Sequence, residues 1–426
     1  MLTVPYIREN RDHVLERLKI KHFKNLHLID DILALDDARR SSQAASNTLQ
    51  SELNQISEQI GILFKSGKKE EAGALKNRTA ELKEELRILL EKNDAASSRM
   101  NELLVLVPNL PHITVPEGHG AEDNPVVREG GVIPVLPDNA KPHWELAAQY
   151  DIIDFDLGVK LTGAGFPVFK GKGARLQRAL INFFLEENTR AGYQEVLPPF
   201  MVNEDSGFGT GQLPDKEGQM YHVQTDNFYL IPTAEVPVTN IYRDVILPAE
   251  ALPVKNTAYT PCFRREAGSY GKDVRGLNRV HQFDKVEIVS IAHPDKSYDI
   301  LEEMVDHVES LVKKLGLPYR IVKLCGGDMS FTSALTFDFE VYSAAQKRWL
   351  EVSSVSNFES YQANRLKLRY RDPENKKPVL AHTLNGSALA LPRIVAALLE
   401  NNQTENGIVI PEILRPFTGF DRIAAE

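Results

Sequence analysis

The residues best equipped for chemistry lie between Thr260 and Glu287. A strand-like run ends in Arg264, Arg265 and Glu266, a glycine-rich stretch over 267–278 follows, and a second strand-like run begins at His281. Period-two alternation puts Phe283, Lys285 and Glu287 of the second run on one face. Arginine suits phosphate because its fork donates two parallel hydrogen bonds and keeps its charge when desolvated. An aromatic ring beside it can stack on a base. The same residues also fit a plain hairpin with a solvated loop and surface ion pairs, and residue types alone leave both readings open. Cys262 reads as a packing residue rather than a nucleophile, and His281 as structural. No Gly-x-Gly-x-x-Gly follows a strand and no Gly-x4-Gly-Lys-Ser/Thr occurs, so the common nucleotide-binding loops are absent.

Such a hairpin needs a scaffold. Residues 228–231, 257–264, 281–290, 319–324, 336–341 and 349–354 read as strands, with a shorter strand-like piece at 193–197. Helices are expected over 174–192, 297–315 and 389–401. Strands follow one another with few helices between them. This predicts an α+β body with a largely antiparallel sheet flanked by helices.

The first 105 residues differ in character. A short helix is expected over 10–18. From Leu28, the residues Ile32, Leu35, Leu49, Leu53, Ile56, Ile60 and Leu63 recur at helical spacing, as do Ala72, Leu75, Thr79, Leu82, Leu86 and Leu89. Ser66-Gly67-Lys68-Lys69 separates the two runs as a turn. The pattern predicts an antiparallel helical hairpin, a coiled-coil arm about 50 to 60 Å long. A stripe this narrow covers only the seam, so the arm projects from the body; periodicity ranks a dimerising coiled coil equal to a binding arm. Lys65, Lys68, Lys69, Lys76 and Arg78 gather near the tip, yet over 27–104 there are 11 Lys and Arg against 14 Asp and Glu. Recognition by this arm must be local and shape-based. Pro108, Pro111, Pro116, Pro125, Pro134, Pro137 and Pro142 then mark 106–142 as a linker, with the catalytic body at 143–426.

Composition narrows the class. The 426 residues are 42% hydrophobic and 26% charged, which is ordinary globular usage. A net charge of -9 argues against indiscriminate nucleic-acid binding and leaves room for a local basic patch. Two distant cysteines, Cys262 and Cys325, build neither a disulfide framework nor a Cys-rich zinc site, which fits a reducing, cytoplasmic compartment. Residues 1–25 are too charged for a signal peptide, and no apolar run is long enough to cross a membrane.

Several of these segments together resemble a known family. Phe263-Arg264-Arg265-Glu266, the loop and 279–283 look like motif 2 of class II aminoacyl-tRNA synthetases. Residues 385–393 resemble motif 3, and 174–199 resemble motif 1. Thr233-Ala234-Glu235, 281–287, Glu351-Val352-Ser353-Ser354 and the N-terminal hairpin are similar to those of bacterial seryl-tRNA synthetases, over essentially the whole chain. Where the family has glycines this chain has Ala388 and Pro392. The resemblance implies a six-stranded-type antiparallel catalytic sheet, a homodimer, and a two-step reaction. ATP and L-serine give seryl-adenylate, and the seryl group passes to serine tRNA and, by the same analogy, to selenocysteine tRNA.

It also implies roles. Arg264 and Arg393 are the catalytic arginines, on the α-phosphate with the serine carboxylate and on the γ-phosphate. Arg265, Glu266, Phe283, Glu351, Val352, Ser353 and Ser354 complete the ATP site, with Glu266 on the adenine amino group and Phe283 stacked on the ring. Thr233, Ala234 and Glu235 lie at the serine ammonium, Glu287 at its hydroxyl, and Asn385 and Ser387 nearby. Glu351 and Ser354 are oxygen ligands for Mg2+, and no zinc is expected. Read alone, Glu351 is an ordinary strand-end carboxylate, and Glu287 a salt-bridge partner of Lys285 or Arg264. A ligase charging a non-tRNA carrier shares the adenylating core, but the arm speaks against it. A non-catalytic scaffold is opposed by the intact Arg264, Glu266, Phe283, Glu351 and Arg393 set.

Overall fold

The computed structural model describes residues 1–215, 218–266 and 275–424. The centre of the glycine-rich loop, 267–274, and the last two residues of the tail fall outside the described residues. The chain divides into two compact units, Met1–Pro108 and Asn109–Glu426.

The first unit holds α1 (Val4–Glu9), α2 (Arg11–Ile20), α3 (Leu28–Lys65) and α4 (Lys69–Leu106). The last two have 38 residues each, about 57 Å at 1.5 Å per residue. Gly67 turns the chain between them at φ +79°, a conformation that costs a glycine little. Leu53, Ile56 and Leu82 are buried in the seam, with Leu49, Ile60, Leu75 and Leu86 packed at its margins. The outer faces carry ion pairs such as Arg87–Glu84 and Arg99–Glu102. Helix α3 runs unbroken through the polar stretch 39–46. There Asp36, almost fully buried, is held between Arg8 and Arg39 at 2.8 Å each.

The second unit is built on an eight-stranded sheet. Its strands are β1 (Val126–Gly130), β2 (Gln194–Glu195), β3 (Val254–Phe263), β4 (Gln282–Ala292), β5 (Tyr319–Lys323), β6 (Leu335–Ser343), β7 (Arg348–Asn357) and β8 (His382–Ala390). The spatial order is β1-β5-β6-β7-β8-β4-β3-β2. All neighbours are antiparallel except β3 and β2. The sheet is thus wider than the six-stranded form that the resemblance implies. One added edge strand, β1, comes from within the proline-rich stretch, where Val126–Gly130 contains no proline and pairs with β5. The other is the two-residue parallel β2. Arg128 on β1 reaches Glu302 at 2.9 Å, Asp306 at 2.5 Å and Glu309 at 3.0 Å, tying this edge to the helix Ser297–Lys314.

Six helices of this unit matter below: α5 (His143–Gln149), α6 (Gly171–Arg190), α7 (Glu235–Asn240), α8 (Ser297–Lys314), α9 (Ser360–Leu366) and α10 (Leu391–Asn401). Helix α8 buries Ile300, Leu301, Met304, Val305, Val308, Leu311 and Val312, as its spacing predicts, and packs on β8 and β7. Helix α10 packs on β6, β4 and β7. It starts two residues later than expected because β8 continues to Ala390. Pro392 occupies its first turn, where a missing N–H leaves no intrahelical bond unmade.

If the seam alone holds α3 against α4, Leu82→Ala should cost the hairpin about 2 to 5 kcal/mol through lost burial and the cavity left behind. Hydrogen exchange should show amide protection falling along α3 and α4 while the sheet amides keep theirs. Unchanged protection in the hairpin would mean that the seam is not what holds it.

Candidate active site

A cleft of about 810 Å³ opens over β4, β6, β7 and β8. The register explains its floor. Phe283, Lys285 and Glu287 stand opposite Cys262, Thr260 and Ala258 of β3, and Glu287 also pairs with Ser387 of β8. Phe283, Lys285 and Glu287 line the cleft, while Val286 and Ile288 between and beyond them are buried in the core.

Glu287 is 1% exposed. Its carboxylate meets the Lys285 ammonium at 2.5 Å and accepts from the Thr233 hydroxyl at 3.2 Å and the Asn385 amide at 3.0 Å. Lys285 also donates to Thr233 Oγ1 at 2.8 Å. A carboxylate offers about four acceptor positions, so three donors leave room for one more. The salt-bridge reading of Glu287 with Lys285 therefore holds alongside its position in the cleft.

Glu235, at the start of α7, is buried beside this group and accepts from Gln362 Nε2 at 2.6 Å. Gln362 is itself held by Thr383, whose hydroxyl donates to its Oε1 at 2.7 Å. Burial, reinforced by the Glu287 charge and opposed by the Gln362 hydrogen bond, pushes the Glu235 carboxyl up to about 7. Cys262 is fully buried, and burial raises its thiol, so the strand holds it as packing.

Arg264 lies at the other side of the floor. Its Nε donates to the Pro232 carbonyl at 3.4 Å, and its guanidinium sits 5.3 Å from the Phe283 ring centre. His281 braces this arginine: the Arg264 N–H donates to the His281 carbonyl at 2.9 Å, and His281 Nδ1 lies 3.0 Å from the Arg264 carbonyl oxygen. Glu266 accepts from Arg279 across the base of the loop. Arg393, from the first turn of α10, donates to the carbonyls of Asn278 at 2.9 Å and Glu351 at 2.8 Å.

Arg264, Glu266, Phe283, Glu351, Val352, Ser353, Ser354 and Arg393 share the cleft with Thr233, Glu235, Glu287, Asn385 and Ser387. Two expected residues stand apart from its lining. Arg265 places its guanidinium 5.7 Å from the Tyr221 ring centre, and Ala234 packs with Val238, Ala258 and Val289.

Asp338 was not singled out by sequence, although the strand 336–341 put two carboxylates, Asp338 and Glu340, on one face. It stands directly across from Ser354, and its Oδ1 is buried without a hydrogen-bond partner. Burial, then the charge of Glu351, raises its carboxyl well above the usual range. Gln362 had no local signal, because α9 meets α7 only in the fold.

A buried, orphaned carboxylate oxygen beside the Ser354 hydroxyl and the half-exposed Glu351 makes an all-oxygen donor set that suits a hard divalent cation. Among the described residues, no three His, Cys, Asp or Glu side chains gather as a closed metal cage. Such a set leaves coordination positions for phosphate oxygens and water.

Comparison with known proteins identifies the family. Residues 221–402 match the family model of the tRNA synthetase class II core domain (G, H, P, S and T), and 1–111 match the seryl-tRNA synthetase N-terminal domain. The chain is 51% identical to a serine–tRNA ligase of Salinibacter ruber over the full length of both. Seryl-tRNA synthetase from Pyrococcus horikoshii, solved with ATP, superposes with a TM-score of 0.94 at 32% identity over all of both chains. The cytoplasmic enzyme of Naegleria fowleri, solved with AMP, gives 0.89 at 25% identity over 100% of this chain and 99% of that one.

The Glu235 shift fixes a pH dependence. Its folded value, about 7, lies above the ordinary 4.5, so the folded state holds a proton that the unfolded state releases between those values. Stability from this group is complete below pH 4.5 and declines as pH rises towards 7. Glu235→Gln should therefore stabilise the empty protein by up to about 3 kcal/mol at pH 8 and by under about 1 kcal/mol at pH 5. Urea titrations followed by tryptophan fluorescence report on the right unit, because Trp144 and Trp349 both lie in it. A gap that stays constant from pH 5 to pH 8 would show that Glu235 is already ionised.

Proposed function

Because the chain belongs to the seryl-tRNA synthetase family, we propose that it is a serine–tRNA ligase, activating L-serine with ATP and passing the seryl group to serine tRNA. The observation that carries this reading is one cleft shared by Arg264, Phe283, Glu351 and Arg393 with the buried Glu235 and Glu287. Phosphate-gripping and amino-acid-gripping groups are thus set side by side, as in-line transfer requires.

The first step joins the serine carboxylate to the α-phosphorus of ATP and releases pyrophosphate. The nucleophile is already ionised, so the site needs positioning and charge neutralisation rather than a base. Arg264 serves both anions, which otherwise repel. Arg393 holds the γ-phosphate, Glu266 accepts from the adenine amino group, and Phe283 stacks on the ring. Arg265 and the Val352–Ser353 backbone lie at the margins of the nucleotide. Glu351 and Ser354 would hold Mg2+, with Asp338 behind them; when bound, the ion neutralises charge on the phosphates.

Serine selection follows from the floor. The ammonium group meets Thr233 and Glu235, with Ala234 setting the backbone between them. Its positive charge offsets the burial that keeps Glu235 protonated, so serine binding releases a proton near neutral pH. The serine hydroxyl donates to the remaining acceptor position of Glu287, next to Asn385 and Ser387. Alanine brings no donor and leaves that position unpaired.

In the second step the seryl group passes to the 3′ end of the tRNA and AMP leaves. The hairpin arm receives the tRNA, with Lys65, Lys68, Lys69, Lys76 and Arg78 near its tip. Selenocysteine tRNA, which is first charged with serine, is a second substrate of the same kind. The arm, matched to the seryl-tRNA synthetase N-terminal domain, disfavours a ligase for a non-tRNA carrier. We place the enzyme in the cytoplasm as a homodimer. Both cysteines are free thiols, and no helix among the described residues is long and apolar enough to cross a membrane. Most apolar residues of α6 are already buried within the chain, so a dimer face would draw on exposed residues such as Leu161 and Leu197.

ATP–pyrophosphate exchange with each amino acid in turn tests the first step, and serine alone should support it. Glu287→Gln keeps the volume but loses the charge beside Lys285, and should cut serine-dependent exchange while ATP still binds. Unchanged discrimination against alanine would remove Glu287 from the hydroxyl site. Deleting residues 33–103 behind a short bridge should spare exchange and abolish tRNA charging. Equal loss of both would make the arm a support of the fold, and full charging would exclude it from tRNA binding.

A further inference from the structure

His143 and Glu400, far apart in sequence, meet in the core at the C-terminal side of the motif 2 loop. Both side chains are fully buried, and neither lines the cleft. The Leu277 N–H donates to His143 Nε2 at 2.8 Å, so that nitrogen carries the lone pair and Nδ1 the proton. Nδ1–H then donates to Glu400 Oε1 at 2.6 Å. The same carboxylate accepts from the His143 backbone N–H at 2.9 Å, from Gln346 Nε2 at 2.8 Å and from the Ser343 hydroxyl. The chain passes so close over the imidazole that a Cβ on Gly276 would sit 2.2 Å from Nε2.

Two branches leave this carboxylate. One runs through the imidazole to the Leu277 backbone. The other runs through Gln346, whose Oε1 accepts from Asn278 Nδ2 at 2.9 Å. The Asn278 carbonyl in turn accepts from Arg393 Nε at 2.9 Å, and Arg393 Nη1 binds the Glu351 carbonyl. The network joins these buried polar groups and ends on two walls of the nucleotide cleft, with Asn278 Oδ1 left without a partner. A network of this kind has one low-energy arrangement, because breaking any member strands another in a dry interior.

We propose that His143 and Glu400 are positioning residues for ATP, clamping residues 276–278 and through them aiming Arg393. The proposal rests on the reading that Arg393 meets the nucleotide phosphates. The clamp explains why Gly276 tolerates no side chain over the ring. It also comes with a reporter: the Arg275 guanidinium lies 4.8 Å from the Trp144 ring centre, next in sequence to His143.

The test uses the full chain with His143→Asn, Asn278→Ala and the double variant. Asparagine cannot reach both Glu400 and Leu277. Asn278→Ala removes the bond to Gln346 but keeps the carbonyl that Arg393 uses. In serine-dependent pyrophosphate exchange, each single variant should raise the KM for ATP about tenfold, the worth of one or two neutral hydrogen bonds. The kcat and the KM for serine should stay within about twofold. The double variant should be weaker than either single one, since each cuts a different branch from Glu400 to residues 276–278. Trp144 emission should shift in His143→Asn without ligand. An unchanged KM for ATP in folded variants, or a double variant no weaker than the single ones, would overturn the clamp. If His143→Asn fails to fold, Asn278→Ala and Gln346→Ala decide by the same readouts. If the wild-type protein shows no serine-dependent exchange, the reading of Arg393 as part of a serine ligase fails. The affinity for ATP by calorimetry then still decides the clamp, and an unweakened affinity in the variants would end it.

Discussion

A carboxylate cannot be taken out of water and left alone, and the cleft is organised around that constraint. Glu287 is buried on a central strand, where it is tolerable only because Lys285, Thr233 and Asn385 converge on it from β4, the segment before α7, and β8. Those three partners fix the relative register of the elements that carry them. A slip of one residue would turn Phe283, Lys285 and Glu287 away from the cleft together. The proposed specificity residue thus sits on a central strand, and Arg264, Glu266 and Arg393 line the same cleft.

The rim follows a different rule. Arg264 and Arg393 are held mainly by backbone carbonyls, those of Pro232, Asn278 and Glu351, rather than by carboxylates at short range. A carbonyl orients a guanidinium without neutralising it. The arginines keep their positive charge, while Glu351 stands 3.6 Å from Arg393 and burial favours the neutral form of Asp338.

What could be read from sequence divides along the same physical line. Periodic signals are local, so the two 38-residue helices, α8 and the β3–β4 hairpin were visible in the spacing of Leu53, Leu82, Ile300, Phe283 and Glu287. Strand β8 was missed, because Asn385-Gly386-Ser387 carries turn-forming residues that only the neighbours β4 and β7 hold extended. Edge strand β1 was hidden among prolines for a similar reason. Within the site, motif residues were legible as types, but their partners were not. Gln362, Asp338 and the His143–Glu400 pair act across separations of up to 257 residues, and no window of sequence contains them. Arg265, beside Arg264 in the chain, was not separable from it by type; alternation along an extended segment sends it towards Tyr221 instead.

Strand β1 has a meaning beyond its place in the sheet. An open sheet presents a row of unpaired N–H and C=O groups at its edge, a template on which another chain can add. Here that edge is a short five-residue strand, ended by Gly130 and Gly131 and pinned by Arg128 to three acids on α8. Without it, the hydrogen-bonding side of Tyr319–Lys323 would become the border, with Ile321 and Val322 beside it. The proline-rich stretch is therefore a guard against intermolecular strand addition: its loss would appear first as aggregation during folding, when a bare sheet edge is most exposed, even with every cleft residue in place.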